Sequence, residues 1–370
     1  MLLSVFTQRG GTLPQKRGEL YQAALHAMLE RLDTAAKGGH GALDLEPCLR
    51  RVAYGSHTRP RGEQFRIFRA RSEAAVWDAD GVEAVMRIAN GGSDSSTQNA
   101  TAGDDSEWSR VLRLVAAGAM PILASLGAGA DREEELRFSH LTFQEYLVAA
   151  EISDRMQRAA PQERAMLLRR LLRQSDRHSA AHAVEEPRWH VVLETCAEML
   201  GTAELGQALL WCESRKLKVG VGARILLPYL ELDRSLITLD ISDGDLDTAD
   251  VRQLADGLVT NDAMQYLTLR RAALPVQELR TGAHVDLNKQ GFCEVDGIVL
   301  STLLGSNTVL ELIDVGANAL GDSANSIGLA LAHAANSVTS VAFAECAALK
   351  DDTVAALASG CTQLTSVNFE

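Results

Sequence analysis

The stretch LELIDVGANAL, Leu310 to Leu320, decides the fold. Its apolar residues Leu310, Ile313, Val315 and Leu320, with Asn318, fit the frame LxxLxLxxNxL. Val338, Val341 and Phe343 take the same places 28 residues later, and Leu364, Val367 and Phe369 follow after 26. Toward the N-terminus, Leu236, Leu239, Ile241 and Leu246 fit, and Met264, Leu267, Leu269 and Leu274 repeat them at 28. A degenerate copy runs through Val285, Leu287 and Phe292, but it starts 18 residues after its predecessor, so about ten residues are missing there.

Each frame precedes a segment with helical spacing, such as Val251, Leu254, Ala255 and Leu258, or Ile327, Leu329, Ala330 and Leu331. A strand plus helix of this size cannot cover its own apolar face and must stack on copies of itself. Residues 231–370 are therefore expected to form an α/β leucine-rich-repeat solenoid, a horseshoe. The 28-residue copies resemble the ribonuclease-inhibitor type. Leu349 to Phe369 resembles the cysteine-containing type, with Cys361 in its characteristic place. The final copy stops inside a strand without a polar cap, so further repeats or a fraying end are expected.

In such a horseshoe the residues between the consensus leucines face the concave side. Asp240, Asp286 and Asp314 occupy equivalent places, with Tyr266, Arg270, His284 and Asn368 nearby. They read either as a solvated acidic face or as a surface that recognises a basic protein segment, because stacked like charges cost stability unless something answers them. Residues 1–230 carry 29 acidic and 29 basic side chains, whereas residues 231–370 carry 20 and 7. That imbalance argues against nucleic acid binding by the repeats.

The remainder is expected to be mainly helical. Leu20, Ala23 or Ala24, Ala27 and Leu32 form one stripe, and a helix is expected over Leu45 to Tyr54. Residues 90–106 contain no large apolar side chain and read as a flexible insertion. The strand EELRF then leads into LRFSHLTFQEYLVA, Leu136 to Ala149. Thr142 and Glu145 have capping-box spacing, and Leu141 and Tyr146 are placed for a hydrophobic staple. From Asp154 to Arg177, seven arginines surround Met166, Leu168, Leu171 and Leu172, the spacing of a solvated helix with one apolar stripe.

FSHLTFQEYLVAA resembles the winged-helix signature of NACHT proteins, the signalling NTPases that include NOD-like receptors. LLSVFTQRGGTLPQKRGELYQAAL resembles the helical segment after their nucleotide-binding core, and EEPRWHVVLETCAEMLG their later helical domain. The resemblance implies a helical segment at 1–106, a winged-helix segment at 107–150, a helical domain at 151–230 and repeats at 231–370. It implies that His140 contacts the phosphate of ADP, and it implies a role in innate immune signalling. No GxxxxGK[ST] accompanies the six lysines, so no phosphate-cradling loop is present, and no catalytic residue is assigned. The expectation is a non-enzymatic recognition protein without cofactor or metal, or the C-terminal portion of an NTPase whose ATP/ADP core lies upstream.

Cys48, Cys196, Cys212, Cys293, Cys346 and Cys361 form no CxxC pair and suit a reducing cytosol. Cys346 and Cys361 read as small buried apolar groups. Neither a signal peptide nor a membrane span is expected, so the protein is placed in the cytoplasm.

Overall fold

A computed structural model describes residues 16–35, 45–58, 67–70, 107–129, 133–172, 179–220, 222–334, 337–346 and 349–369. Residues 1–15 and the insertion expected at 90–106 lie outside the described residues. The protein is mixed α/β, with many helices and small sheets that do not close into a barrel. It divides into two compact units, 1–173 with 188–201, and 174–187 with 202–370. The expected helical domain at 151–230 is thus shared between them.

The first unit contains α1 (Arg17–Ala35), α2 (Glu46–His57), β1 (Ile67–Arg69), α3 (Glu107–Ala116), β2 (Leu123–Ala128), β3 (Glu134–Phe138), α4 (Leu141–Arg158), α5 (Arg164–Leu171) and α6 (His190–Leu200). Helix α4 is its centre. Every residue from Phe143 to Ser153 is buried, as is Met156, because α1, α2, α5, α6 and β3 all pack against it. Helix α1 buries Ala24, Leu25, Ala27, Met28 and Leu29, while Leu20 and Leu32 of the expected stripe are only half-buried. Glu198 of α6 accepts a hydrogen bond from the Gly18 amide at 2.6 Å and so answers an open donor at the start of α1. Strands β1, β3 and β2 form an antiparallel sheet in that order, with Phe68 and Phe138 5.7 Å apart.

Two expectations fail in this unit. Helix α4 begins at Leu141, with His140 in extended conformation at the N-cap and no side-chain cap. Thr142 therefore lies inside the helix and cannot cap it; Glu145 is buried, and no Thr142–Glu145 capping box or Leu141 staple forms. The arginine-rich span is not one helix either. Ala160 is held extended by Pro161, which ends α4 and lets α5 start afresh at Arg164. Leu168, Leu171 and Leu172 are buried as expected, but so is Arg169.

A buried histidine closes the other end of α2. His57 is fully buried, and its Nε2 donates to the Arg188 carbonyl at 3.1 Å, since a carbonyl can only accept. The Arg188 guanidinium returns a bond to the His57 carbonyl at 3.2 Å, and the Trp189 ring lies edge-on at 4.8 Å. Burial, aided by the Arg188 charge and opposed by the backbone bond, lowers the His57 pKa to about 3.

The second unit contains α7 (Thr202–Leu210), β4 (Lys216–Lys218), α8 (Leu227–Leu230), β5 (Thr238–Asp240), α9 (Thr248–Thr260), β6 (Tyr266–Thr268), β7 (Ala273–Pro275), α10 (Val276–Thr281), β8 (His284–Asp286), α11 (Glu294–Ser306), β9 (Leu312–Asp314), α12 (Ser323–Ala334), β10 (Ser340–Ala342), α13 (Asp351–Gly360) and β11 (Ser366–Asn368). Strands β8 to β11 form one parallel ladder in register, Val285 beside Ile313, Val341 and Val367. The central residues Leu217, Leu239, Leu267, Val285, Ile313 and Val341 are all buried, each worth about 2 kcal/mol. Val367, on the last strand, is 39% exposed. On α12, Ile327 and Leu331 are buried as expected, but Leu329 points out.

Among the described residues of this unit, one strand pairing is antiparallel. Strands β4, β5 and β6 are parallel, but β7 turns back antiparallel on β6, with Leu267 opposite Leu274. The shortened spacing explains it: α10 has six residues where α9 has 13, so a full strand-and-helix unit does not fit before β8.

A further position recurs three residues before the first leucine of a frame. Asn261 donates to the carbonyls of Leu230 and Asp233 at 2.7 and 3.1 Å and accepts from the Ala263 and Met264 amides. Asn307 donates to Leu279 and Gly282, and Cys361 donates its thiol to Leu331 at 3.6 Å. Each side chain, just after its own helix, reaches back to a carbonyl of the preceding helix.

Candidate functional site

The two residues flanking each buried strand centre point outward, so the strand phase defines a surface. On the β8–β11 sheet one outward row is His284, Leu312, Ser340 and Ser366, and the other is Asp286, Asp314, Ala342 and Asn368. His284 Nε2 stands 3.3 Å from the exposed Glu311 carboxylate, and Leu312 beside it is 38% exposed. On the β4–β7 sheet the rows are Lys216, Thr238, Tyr266 and Pro275, then Lys218, Asp240, Thr268 and Ala273.

The structure therefore brings His284, Asp286 and Asp314 together on adjacent strands and places Asp240, Tyr266 and Arg270 with a different sheet. Asp240, Asp286 and Asp314 do hold equivalent places within their units. Each closes a local turn, accepting from the amide two residues on, at 3.0 Å from Ser242, 3.0 Å from Asn288 and 2.8 Å from Gly316.

Two of the three carboxylates also have partners from a neighbouring strand or loop. Lys218 lies 3.5 Å from Asp240 and 3.0 Å from Asp243, whose side chain and charge raise its pKa. Burial pushes the Asp240 carboxyl up, but the Ser242 hydroxyl and amide and the Lys218 charge outweigh it and leave the pKa lowered. Asp314 accepts from Asn288 Nδ2 at 3.3 Å. Asp286, exposed at the end of β8, is the most available of the acids.

Behind the sheet, Asn318 fixes the turn that follows β9. Its Oδ1 accepts from the Gly291 and Phe292 amides at 2.9 and 3.1 Å, and its Nδ2 donates to the carbonyls of Leu287, Val315 and Gly316. Cys346 takes the same place one unit later and donates to Val315 at 3.2 Å. It is half-buried, and Cys361 is buried. All six cysteines are free thiols. Lys289, Ala317 and Glu345, each just before this position, have φ of 56°, 52° and 56°.

His140 is exposed at the start of α4, its ring 6.2 Å from that of Phe143. Among the described residues, no group of three His, Cys, Asp or Glu side chains could hold a metal ion. No described helix is long and apolar enough to cross a membrane.

Sequence reasoning missed Lys216 and Leu312 on these outward faces, with Arg271 in the β6–β7 turn and Glu311 just before β9. The frame could have found Leu312 by strand phase alone. Lys216 precedes the first recognisable copy, and only the pairing of Leu217 with Leu239 reveals it. No protein-family model matches the chain, and a search of curated proteins finds no match.

Proposed function

We propose that the protein is a non-enzymatic recognition module, whose second unit is a short leucine-rich-repeat array that binds a protein segment on its outward strand face. The observation that carries this is the ladder from β8 to β11, repeating at 28 and 26 residues, with one buried and two outward residues on each of β8, β9 and β10. His284, Asp286, Leu312 and Asp314 then offer carboxylates beside an apolar anchor, a combination suited to a basic segment with one large apolar residue. Free thiols throughout agree with a reducing, cytoplasmic setting.

The test is selection of a random peptide library on the immobilised chain, counter-selected against the Asp286→Ala, Asp314→Ala double variant. Enrichment of lysine- or arginine-containing peptides that the variant does not retain is expected. An enriched set that the variant retains equally would defeat the proposal.

A second reading draws on His140. Its exposed ring at the N-terminus of the 18-residue α4 stands where a phosphate would be favoured. In that reading the chain serves as the C-terminal portion of a NACHT-type switch, with ATP or ADP held mainly by a separate core. The chain alone is expected to give no tight ADP binding by calorimetry. Micromolar binding abolished by His140→Ala would overturn that expectation and favour the switch.

A further inference from the structure

Among the described residues of the second unit, the β6–β7 hairpin is the one antiparallel pairing, and its tip is basic. Four residues, Leu269 to Ala272, connect the paired positions Thr268 and Ala273. Leu269 is buried and anchors the turn, while Arg270 and Arg271 are both exposed. Tyr266, at the base of the same hairpin, is 48% exposed. Lys216 lies in the same outward row, one strand beyond Thr238.

Among the described residues, no carboxylate pairs with Lys216, Arg270 or Arg271. The acids around them are engaged elsewhere. Asp240 and Asp243 hold Lys218, and Asp262 lies 3.0 Å from Arg234. The face thus presents three uncommitted cations around one exposed aromatic ring, within a stretch, residues 231–370, that carries 20 acidic and 7 basic side chains.

We propose that this face is a separate binding site for a short acidic peptide segment. By strand geometry Lys216 lies about 10 Å across the sheet from Tyr266, and Arg270 sits in the turn two residues beyond the end of β6. An extended segment of roughly four residues spans the distance from Lys216 to Tyr266. Arginine forks bind carboxylates in pairs, and the Tyr266 ring covers an apolar residue between them. A nucleic acid strand is disfavoured, because its affinity needs many phosphates neutralised in line, whereas here Asp240 lies on the strand between those of Lys216 and Tyr266. The site stands apart from the basic-segment surface proposed above, which uses the other sheet.

The test is fluorescence anisotropy on the full chain with a labelled glutamate-rich peptide carrying a central phenylalanine. Its lysine-rich counterpart and a short oligothymidylate serve as competing probes. The acidic peptide is expected to bind most tightly, to weaken at least about tenfold in the Arg270→Glu, Arg271→Glu variant and about fivefold in Tyr266→Ala. Asp286→Asn, which reports on the other surface, is expected to leave it unchanged. All four positions are exposed, and circular dichroism checks that the variants fold. Absence of acidic-peptide binding, equal or tighter binding of either competing probe, or affinity untouched by the charge reversal would each overturn the proposal.

Discussion

Acidification should destabilise the first unit through His57, and the size of the effect follows from its burial. The folded imidazole titrates at about 3, against an ordinary value of 6.5. Because the folded pKa is depressed for a group that charges on protonation, the unfolded chain binds the proton first as pH falls. Stability is complete above about 6.5 and is lost between there and about 3, at about 1.4 kcal/mol per pH unit. That is about 2 kcal/mol at pH 5 and about 3 kcal/mol at pH 4, a large part of what holds a typical domain. Denaturant unfolding followed by tryptophan fluorescence, from pH 7.5 to 5, measures it. His57→Gln, which can still donate to the Arg188 carbonyl but never charges, should flatten the slope by about 2 kcal/mol over that range. If wild type and variant lose stability in parallel, or if the folded imidazole titrates near its ordinary value by NMR, burial is not the cause.

Asn318→Ala leaves the Gly291 and Phe292 amides without their acceptor and should cost about 3 kcal/mol in the second unit, with faster hydrogen exchange at Phe292; unchanged exchange there would contradict the assigned bonds. Ala317 sits at φ 52°, so Ala317→Gly should raise stability by up to about 1 kcal/mol in thermal unfolding, whereas a β-branched Ala317→Val should lower it. A methyl group at Gly360 would meet the backbone carbonyl of Ala332, so Gly360→Ala should cost about 2 kcal/mol by separating α13 from α12. An unaltered melting curve for that variant would place the two helices further apart than described.

Much of the second unit is legible in the sequence because its signal is periodic. Leu239, Leu267, Val285, Ile313 and Val341 are named by the frame and all lie at strand centres. The hairpin is not legible, since a shortened spacing says that residues are missing but not which way the chain turns. Leu274 fits the apolar frame equally well in an antiparallel strand. Grouping Asp240, Tyr266 and Arg270 with His284, Asp286 and Asp314 assumed unbroken stacking, and the hairpin ends that assumption. In the first unit the failures are local. Thr142 and Glu145 have the spacing of a cap, but the helix starts before them, and spacing alone does not fix a start. His57 carried no sequence signal, because its burial depends on Arg188 and Trp189, more than a hundred residues away.

The hairpin bears also on how the second unit avoids misassembly while it folds. Units that repeat at nearly the same length invite a slip of one whole unit, in which a strand takes its neighbour's seat with its apolar centre still covered. Strand β7 runs the opposite way at the edge of the first sheet and is joined to β8 by only the six-residue α10 and its flanks. A copy from further along the chain cannot reproduce that junction. The irregular repeat thereby marks one place in the order as unlike all others, and the remaining strands can be counted from it.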